Sequence, residues 1–101
     1  MSYDLGVKGD YEGLYQWLDQ RESRECSASL AFFFHEAEGD VAAELKQSLQ
    51  DSIEVDSKTR IYIIFLGHDK KMKGRFLFGH RKAAPWTGFA PGVPEEDEYG
   101  G

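Results

Sequence analysis

The sequence predicts a small α+β domain, a two-layer sandwich in which two helices lie on one face of an antiparallel sheet. Two apolar stripes with helical spacing alternate with runs of β-branched and aromatic residues, and the last two runs are close enough to form a hairpin. The chain has 101 residues, enough for one domain and too few for two. We expect the domain at residues 1–82 and an extended, partly disordered tail, rich in proline, glycine and acid, at 83–101.

The first half of the chain predicts a strand, a helix and a second strand. Residues 1–5 hold the end of a short first strand, and Asp10 is a suitable N-cap for the helix. Trp17 is expected at the flank of the helical stripe. Residues 28–35 form a strand with aromatic residues at consecutive positions, so we expect both of its faces to be at least partly covered. The apolar stripe of the helix consists of Tyr11, Leu14, Tyr15 and Leu18.

The second half predicts another helix and then a hairpin. Asp40 is the N-cap of a helix whose stripe continues through Leu45 and Leu49. Residues 60–67 and 74–80 are strands joined by a charged loop. A period of two places Phe76 and Phe78 on one face of the last strand and Leu77 on the other.

Positive charge is concentrated in the hairpin region. The net charge is −6, yet residues 66–82 hold six basic residues and one acid. Such a stretch either follows a phosphate backbone of RNA or DNA, or is a solvated hairpin tip that prevents edge-to-edge aggregation. The candidate nucleic-acid-binding residues are Lys70, Lys71, Lys73, Arg75, Arg81 and Lys82.

The single cysteine and the short apolar runs indicate a cytoplasmic protein. Cys26 has no intramolecular disulfide partner, and we expect it to pack as a small hydrophobic residue rather than act as a nucleophile. No charged-then-apolar leader is visible, and no run is long enough to span a bilayer, so no membrane partner is expected.

Asp4 is the candidate metal ligand and catalytic residue. A carboxylate between a strand and a glycine loop suits Mg²⁺ or Mn²⁺, and a symmetric dimer would supply a second Asp4; the alternative is a capped turn. His35 and His80, both at strand ends, are placed on the same rim of the sheet, without the short spacing that marks a metal site.

The tail offers further candidates. Trp86 and Phe89 are candidate anchors for a protein partner, since exposed aromatic residues are typical of interfaces. Glu95–Glu98 would fold over the basic hairpin or simply solubilise the chain. The last two residues are Gly100 and Gly101, and a C-terminal diglycine is typical of ubiquitin-like modifiers and sulfur carriers.

Four segments carry a resemblance to a known family. They are YDLG at 3–6, DYEGLYQWL at 10–18, SASLAFFF at 27–34 and RIYIIFLG at 60–67. Together they resemble the superfamily of CRISPR-associated protein two, virulence-associated protein D and SinR-like proteins. The resemblance implies a ferredoxin-like fold, a homodimer and, in active members, a metal-dependent nuclease whose key acid corresponds to Asp4. Ser27 or Ser29 would correspond to the family's small hydroxyl residue.

The chain departs from that family in three respects. Only Met1 and Ser2 precede Tyr3 in the first strand, and the segment 81–92 lies outside the family pattern. The fold also needs two strands between its helices, and the sequence shows only one clearly, unless residues 24–27 form the first of a bent pair. On the strength of the resemblance, we expect a small metal-dependent nuclease, acting on RNA or DNA in a toxin or defence role. The alternatives are a non-catalytic dimeric binding or scaffold protein of the same fold, and a diglycine-tailed carrier.

Overall fold

A computed structural model describes residues 1–92. The five strands form one antiparallel sheet in the order β2-β3-β1-β4-β5, which confirms the α+β class and is compatible with a ferredoxin-like sandwich. The expectations for Glu95–Glu98, Gly100 and Gly101 lie outside the described residues. The elements are β1 Ser2–Asp4, α1 Tyr11–Gln20, β2 Arg24–Ser27, β3 Leu30–Phe32, α2 Val41–Ser52, β4 Arg60–Leu66 and β5 Met72–Phe78.

Both helices begin at the predicted caps, but the buried face of α1 has a different centre from the apolar stripe predicted from sequence. Asp10 and Asp40 each accept a hydrogen bond from a backbone N–H in the first turn of their helix. Trp17, placed at the flank from sequence, is only 3% exposed, whereas Tyr15 is half exposed. The prediction for Trp17 was wrong because α2 packs beside α1 and covers this residue. The Trp17 Nε1–H donates a hydrogen bond to Ser48 Oγ of α2 at 2.9 Å.

The strand expected at residues 28–35 is shorter, and β2 precedes it at 24–27 as the predicted fold required. Ala31 is buried beneath the helices, but Phe32 is exposed and Phe34 is 85% exposed. The expectation that both faces of this strand are covered was therefore wrong, since the helices cover one face only. Cys26 is also exposed, contrary to its expected packing, because every residue of the edge strand β2 is exposed.

A β-bulge corrects the expected facing of β5. The register between β4 and β5 shifts next to Ile61, so that Ile61 pairs with Phe78 while Tyr62 pairs with Phe76. Leu77 is the extra residue, and Leu77 and Phe78 are both buried. Phe76 and Phe78 therefore do not share a face, because a bulge inserts one residue and breaks the period of two.

The sheet has one covered face and one face without helices, which we call the open face. Ile61 and Ile63 of β4 join the core under the helices. Alternation then places Arg60, Tyr62, Ile64 and Leu66 on the open face. Within residues 1–92, no helix is long and apolar enough to cross a membrane.

Candidate functional site: the two halves of the open sheet face

Asp4 ends β1 on the open face. Its Oδ1 accepts the backbone N–H of Gly6 at 3.0 Å, so the residue caps its own loop, which is the alternative that the sequence left open. The carboxylate also lines two cavities that it shares with Arg60 and Lys82. Arg60 is its direct cross-strand neighbour in the β1–β4 register.

The surroundings of Asp4 are cationic rather than acidic. Among residues 1–92, no group of three or more histidine, cysteine, aspartate or glutamate side chains is placed to hold a metal ion. The smaller of the two cavities brings Lys58 and His80 toward Asp4 as well. One protomer thus contributes a single carboxylate, and a divalent metal ion would need further oxygen ligands from a second copy or from a substrate.

The larger cavity forms what we call the basic cleft. It has a volume of about 560 Å³ and lies between the open face and the chain segment 81–86. Tyr62 and Phe76 line it with rings packed edge to face at 4.7 Å. The opposite wall carries Arg81, Lys82 and Trp86.

Gly79 directs the tail across this face. Its φ of +80° lies in the left-handed region, and a Cβ there would stand 2.9 Å from the Thr59 carbonyl oxygen. The turn brings the carbonyl oxygen of His80 to the Arg60 guanidinium, whose Nε–H donates to it at 3.3 Å. One wall of the basic cleft therefore depends on a glycine and one long-range hydrogen bond.

The six predicted basic residues do not form one patch. Lys70, Lys71 and Lys73 lie at or beside the hairpin tip, before or at the start of β5. Arg75 lies within β5 opposite Ile63, whereas Arg81 and Lys82 follow the end of the strand. A strand of seven residues separates the two ends by roughly 20 Å. At the tip, Lys73 Nζ lies 3.6 Å from an Asp69 oxygen. The Lys71 N–H, followed by the charge of Lys73, holds the pKa of Asp69 below its usual value.

The two strand-end histidines lie at opposite ends of the sheet, not on one rim. The prediction failed because β3 and β5 run antiparallel to one another, so their carboxyl ends point in opposite directions. His35 Nε2 pairs with Glu44 Oε1 at 2.9 Å. This contact, with the Gly39 N–H, lowers the pKa of Glu44.

The other half of the open face is apolar, and we call it the apolar half. It lines part of a second cavity of about 510 Å³, which also reaches Val41 and Leu45 of α2 and the buried Ile63 of β4. Each of its five large side chains is between 49% and 85% exposed, and none carries a charge. Its members are Phe32, Phe34, Ile64, Leu66 and Met72.

Trp86 and Phe89 do not share one environment. Both are well exposed, Trp86 at 74% and Phe89 at 82%, but only Trp86 lines the basic cleft. Arg60 and Tyr62 line the cleft too, although the sequence reasoning did not single them out. Alternation along β4 was the signal that could have found them, since it separates them from the buried Ile61 and Ile63.

Comparisons of the chain with family models, curated proteins and solved structures found no match. The resemblance to the superfamily of CRISPR-associated protein two therefore stays a prediction. Function is inferred from the fold and from the chemistry of the two halves of the open face.

Proposed function

We propose that the protein is a non-catalytic, dimeric binding protein with a ferredoxin-like sandwich, and that its two copies associate through the apolar half. The observation that carries this proposal is the contiguous, uncharged surface of Phe32, Phe34, Ile64, Leu66 and Met72 on a sheet face without helices. Isolated exposed hydrophobic residues are ordinary, but a contiguous patch of this kind marks an interaction site.

The size of the apolar half suits a second copy. The exposed parts of its five side chains amount to roughly 600 Å², at the upper limit for the largest patch on a typical monomer. Two copies would together bury on the order of 1,200 Å², which reaches the range of specific protein–protein interfaces. A two-fold axis would place each patch against itself, so both surfaces would be covered at once.

Charge favours a second copy over a polyanion on this surface. The apolar half carries no charged side chain, while the whole chain has a net charge of −6. Two copies therefore meet there mainly through uncharged side chains. Arg24, the exposed cross-strand neighbour of Phe32, lies at the edge of the apolar half, so a nucleic acid would find a cation only at that edge.

The test is sedimentation velocity of the full chain and of Ile64→Asp. A buried aspartate at the interface leaves an unpaired charge, so we expect the wild type to sediment as a dimer and the variant as a folded monomer. The matched control is Gln50→Asp, which adds the same charge at an exposed position on α2. A wild-type monomer at all concentrations, or an Ile64→Asp dimer as stable as wild type, would contradict the proposal.

A second candidate function is the metal-dependent nuclease, favoured by the position of Asp4 on the same open face beside Arg60 and Lys82. In a dimer formed through the apolar half, each Asp4 lies on the other half of the face, away from the two-fold axis. Each carboxylate would therefore hold Mg²⁺ or Mn²⁺ together with oxygen atoms of the substrate, and the ion would supply activation of water and stabilisation of charge on the phosphate. Arg60 and Lys82 would orient the RNA or DNA backbone.

Cleavage of single-stranded RNA and duplex DNA, with wild type beside Asp4→Asn, separates the two candidates. The nuclease predicts metal-dependent cleavage that the substitution abolishes while the sedimentation profile is unchanged. Cleavage unaffected by Asp4→Asn would rule out the Asp4 mechanism and also contradict a non-catalytic protein. No cleavage from a folded dimer would leave the binding protein as the only candidate. A cytoplasmic location and a protein partner held by Trp86 and Phe89 remain predictions.

A further inference from the structure

The basic cleft combines an aromatic floor with cationic walls. Its floor is aromatic, with Tyr62 and Phe76 packed edge to face, and Trp86 stands on the wall that the tail supplies. Trp86 remains 74% exposed, so its indole still offers a face to another ring. The volume of about 560 Å³ lies within the range of small-molecule sites.

The polar groups of the cleft are mainly cationic. Arg60, Arg81 and Lys82 line it, against the single carboxylate of Asp4. Arg60 uses Nε to bind the His80 carbonyl oxygen, which orients the guanidinium and leaves its terminal amino groups available. The ion pairs found within residues 1–92 involve none of these three cations. A cationic pocket in a chain of net charge −6 favours an anionic ligand.

Asp4 adds a requirement to that ligand. Its Oδ1 is engaged by the Gly6 N–H, while the carboxylate as a whole faces the cavity. A carboxylate beside cations accepts hydrogen bonds from amino or hydroxyl groups of a bound molecule. The ligand therefore needs a flat ring, an anionic group and hydrogen-bond donors within one small molecule.

We propose that the basic cleft binds a nucleoside monophosphate. The base stacks against Trp86 and the Tyr62–Phe76 pair, as bases do on aromatic side chains. Arg60 and Lys82 bind the phosphate through charge-assisted hydrogen bonds, and Asp4 accepts from an amino or ribose hydroxyl group. The tail closes one side of the cleft, which favours a free mononucleotide over a continuous strand. This site lies within one protomer and goes beyond the proposed dimer.

The test is calorimetric titration of the full chain with the 5′-monophosphates of guanosine, adenosine, cytidine and uridine. At least one should bind saturably, and Trp86→Ala should weaken its binding roughly fivefold or more, the lower end expected for loss of one stacking contact. Lys82→Gln should weaken binding and reduce its salt dependence. The matched controls are Phe89→Ala, an exposed aromatic residue outside the cleft lining, and Lys71→Gln, a cation at the hairpin tip.

Several results would overturn the assignment. These are no saturable binding at roughly millimolar nucleotide, unchanged affinity in both Trp86→Ala and Lys82→Gln, and inorganic phosphate binding as tightly as the nucleotide. Tighter binding of a short 5′-phosphorylated RNA than of the monophosphate would assign the cleft to nucleic acid instead. Sedimentation of the same samples keeps the two proposals apart, because Ile64→Asp should lose the dimer and retain the nucleotide.

Discussion

Asp10 connects the start of α1 with the segment that follows α2. Its Oδ1 accepts the Gly13 N–H at 2.9 Å and its Oδ2 accepts the Glu54 N–H at 3.0 Å. These two donors lower the pKa of Asp10 below its ordinary value of 3.8. The cap itself could be predicted from sequence, since aspartate precedes an apolar helical stripe. The bond to Glu54 could not, because it joins residues 44 positions apart.

The first prediction concerns the pH dependence of this contact. Because the pKa is lowered in the folded state, the stabilisation is complete above about pH 4 and is lost as the pH falls through the folded-state pKa. We expect Asp10→Asn to lower Tm by a few degrees near pH 6, with the difference from wild type vanishing at the acidic end. Thermal unfolding between about pH 2.5 and 7 is the measurement, with exposed Asp19→Asn as control. An equal loss at every pH would contradict the argument.

Gly74 allows the Tyr62 ring to lie flat on β5. A Cβ at position 74 would stand 2.7 Å from Tyr62 Cζ and still closer to Oη. Gly74→Ala should therefore displace the end of the Tyr62 ring and cost about 1 kcal/mol, the lower end of the range for overpacking, because the half-buried ring can move outward. Denaturant unfolding measures this cost. Gly39→Ala is the control, since its Cβ would meet only a Glu44 oxygen at 3.6 Å. Equal stability of the two variants would show that Tyr62 is not held there.

At the scale of the secondary-structure elements, Ser48 of α2 joins the two helices. Its Oγ accepts hydrogen bonds from Trp17 Nε1 at 2.9 Å and from an Arg21 amino group at 3.0 Å. The Arg21 guanidinium also lies 4.1 Å from the centre of the Trp17 ring. This arrangement explains why Trp17, and not Tyr15, occupies the centre of the buried face of α1.

Ser48→Ala should leave the buried indole N–H without its partner. We expect a loss of roughly 1–3 kcal/mol in the free energy of unfolding, the cost of an unsatisfied buried donor. Ser48→Thr keeps the hydroxyl and should lose less, and Gln50→Ala on the exposed side of α2 should change little. A Ser48→Ala variant as stable as Gln50→Ala would mean that the indole finds another acceptor.

Elements differed in how far the sequence could predict them. The helices and the β4–β5 hairpin carried caps, stripes and β-branched runs that act locally. By contrast, β2 is exposed at all four residues, so an edge strand of this kind has no burial pattern to reveal it. The bulge at Leu77 was equally hidden, because it depends on how β5 pairs with β4 and not on the composition of either strand.

At the scale of the whole molecule, both proposals concern the sheet face that the helices leave uncovered. Aromatic residues at consecutive positions, Phe32 to Phe34, predicted coverage on both sides, whereas the structure covers one. The basic cleft could not be predicted either, because its wall forms only when Gly79 turns the tail toward Arg60. Asp4 could be named from sequence as a candidate, but its cationic neighbours could not, because they come from β4 and the tail.

The most direct measurement of the central claim is an isotope-filtered NMR experiment on a mixture of labelled and unlabelled chains, which detects only contacts between copies. We predict intermolecular contacts among the side chains of Phe32, Ile64, Leu66 and Met72. Absence of intermolecular contacts at concentrations where the wild type should be dimeric, or contacts confined to the helices, would contradict association through the apolar half.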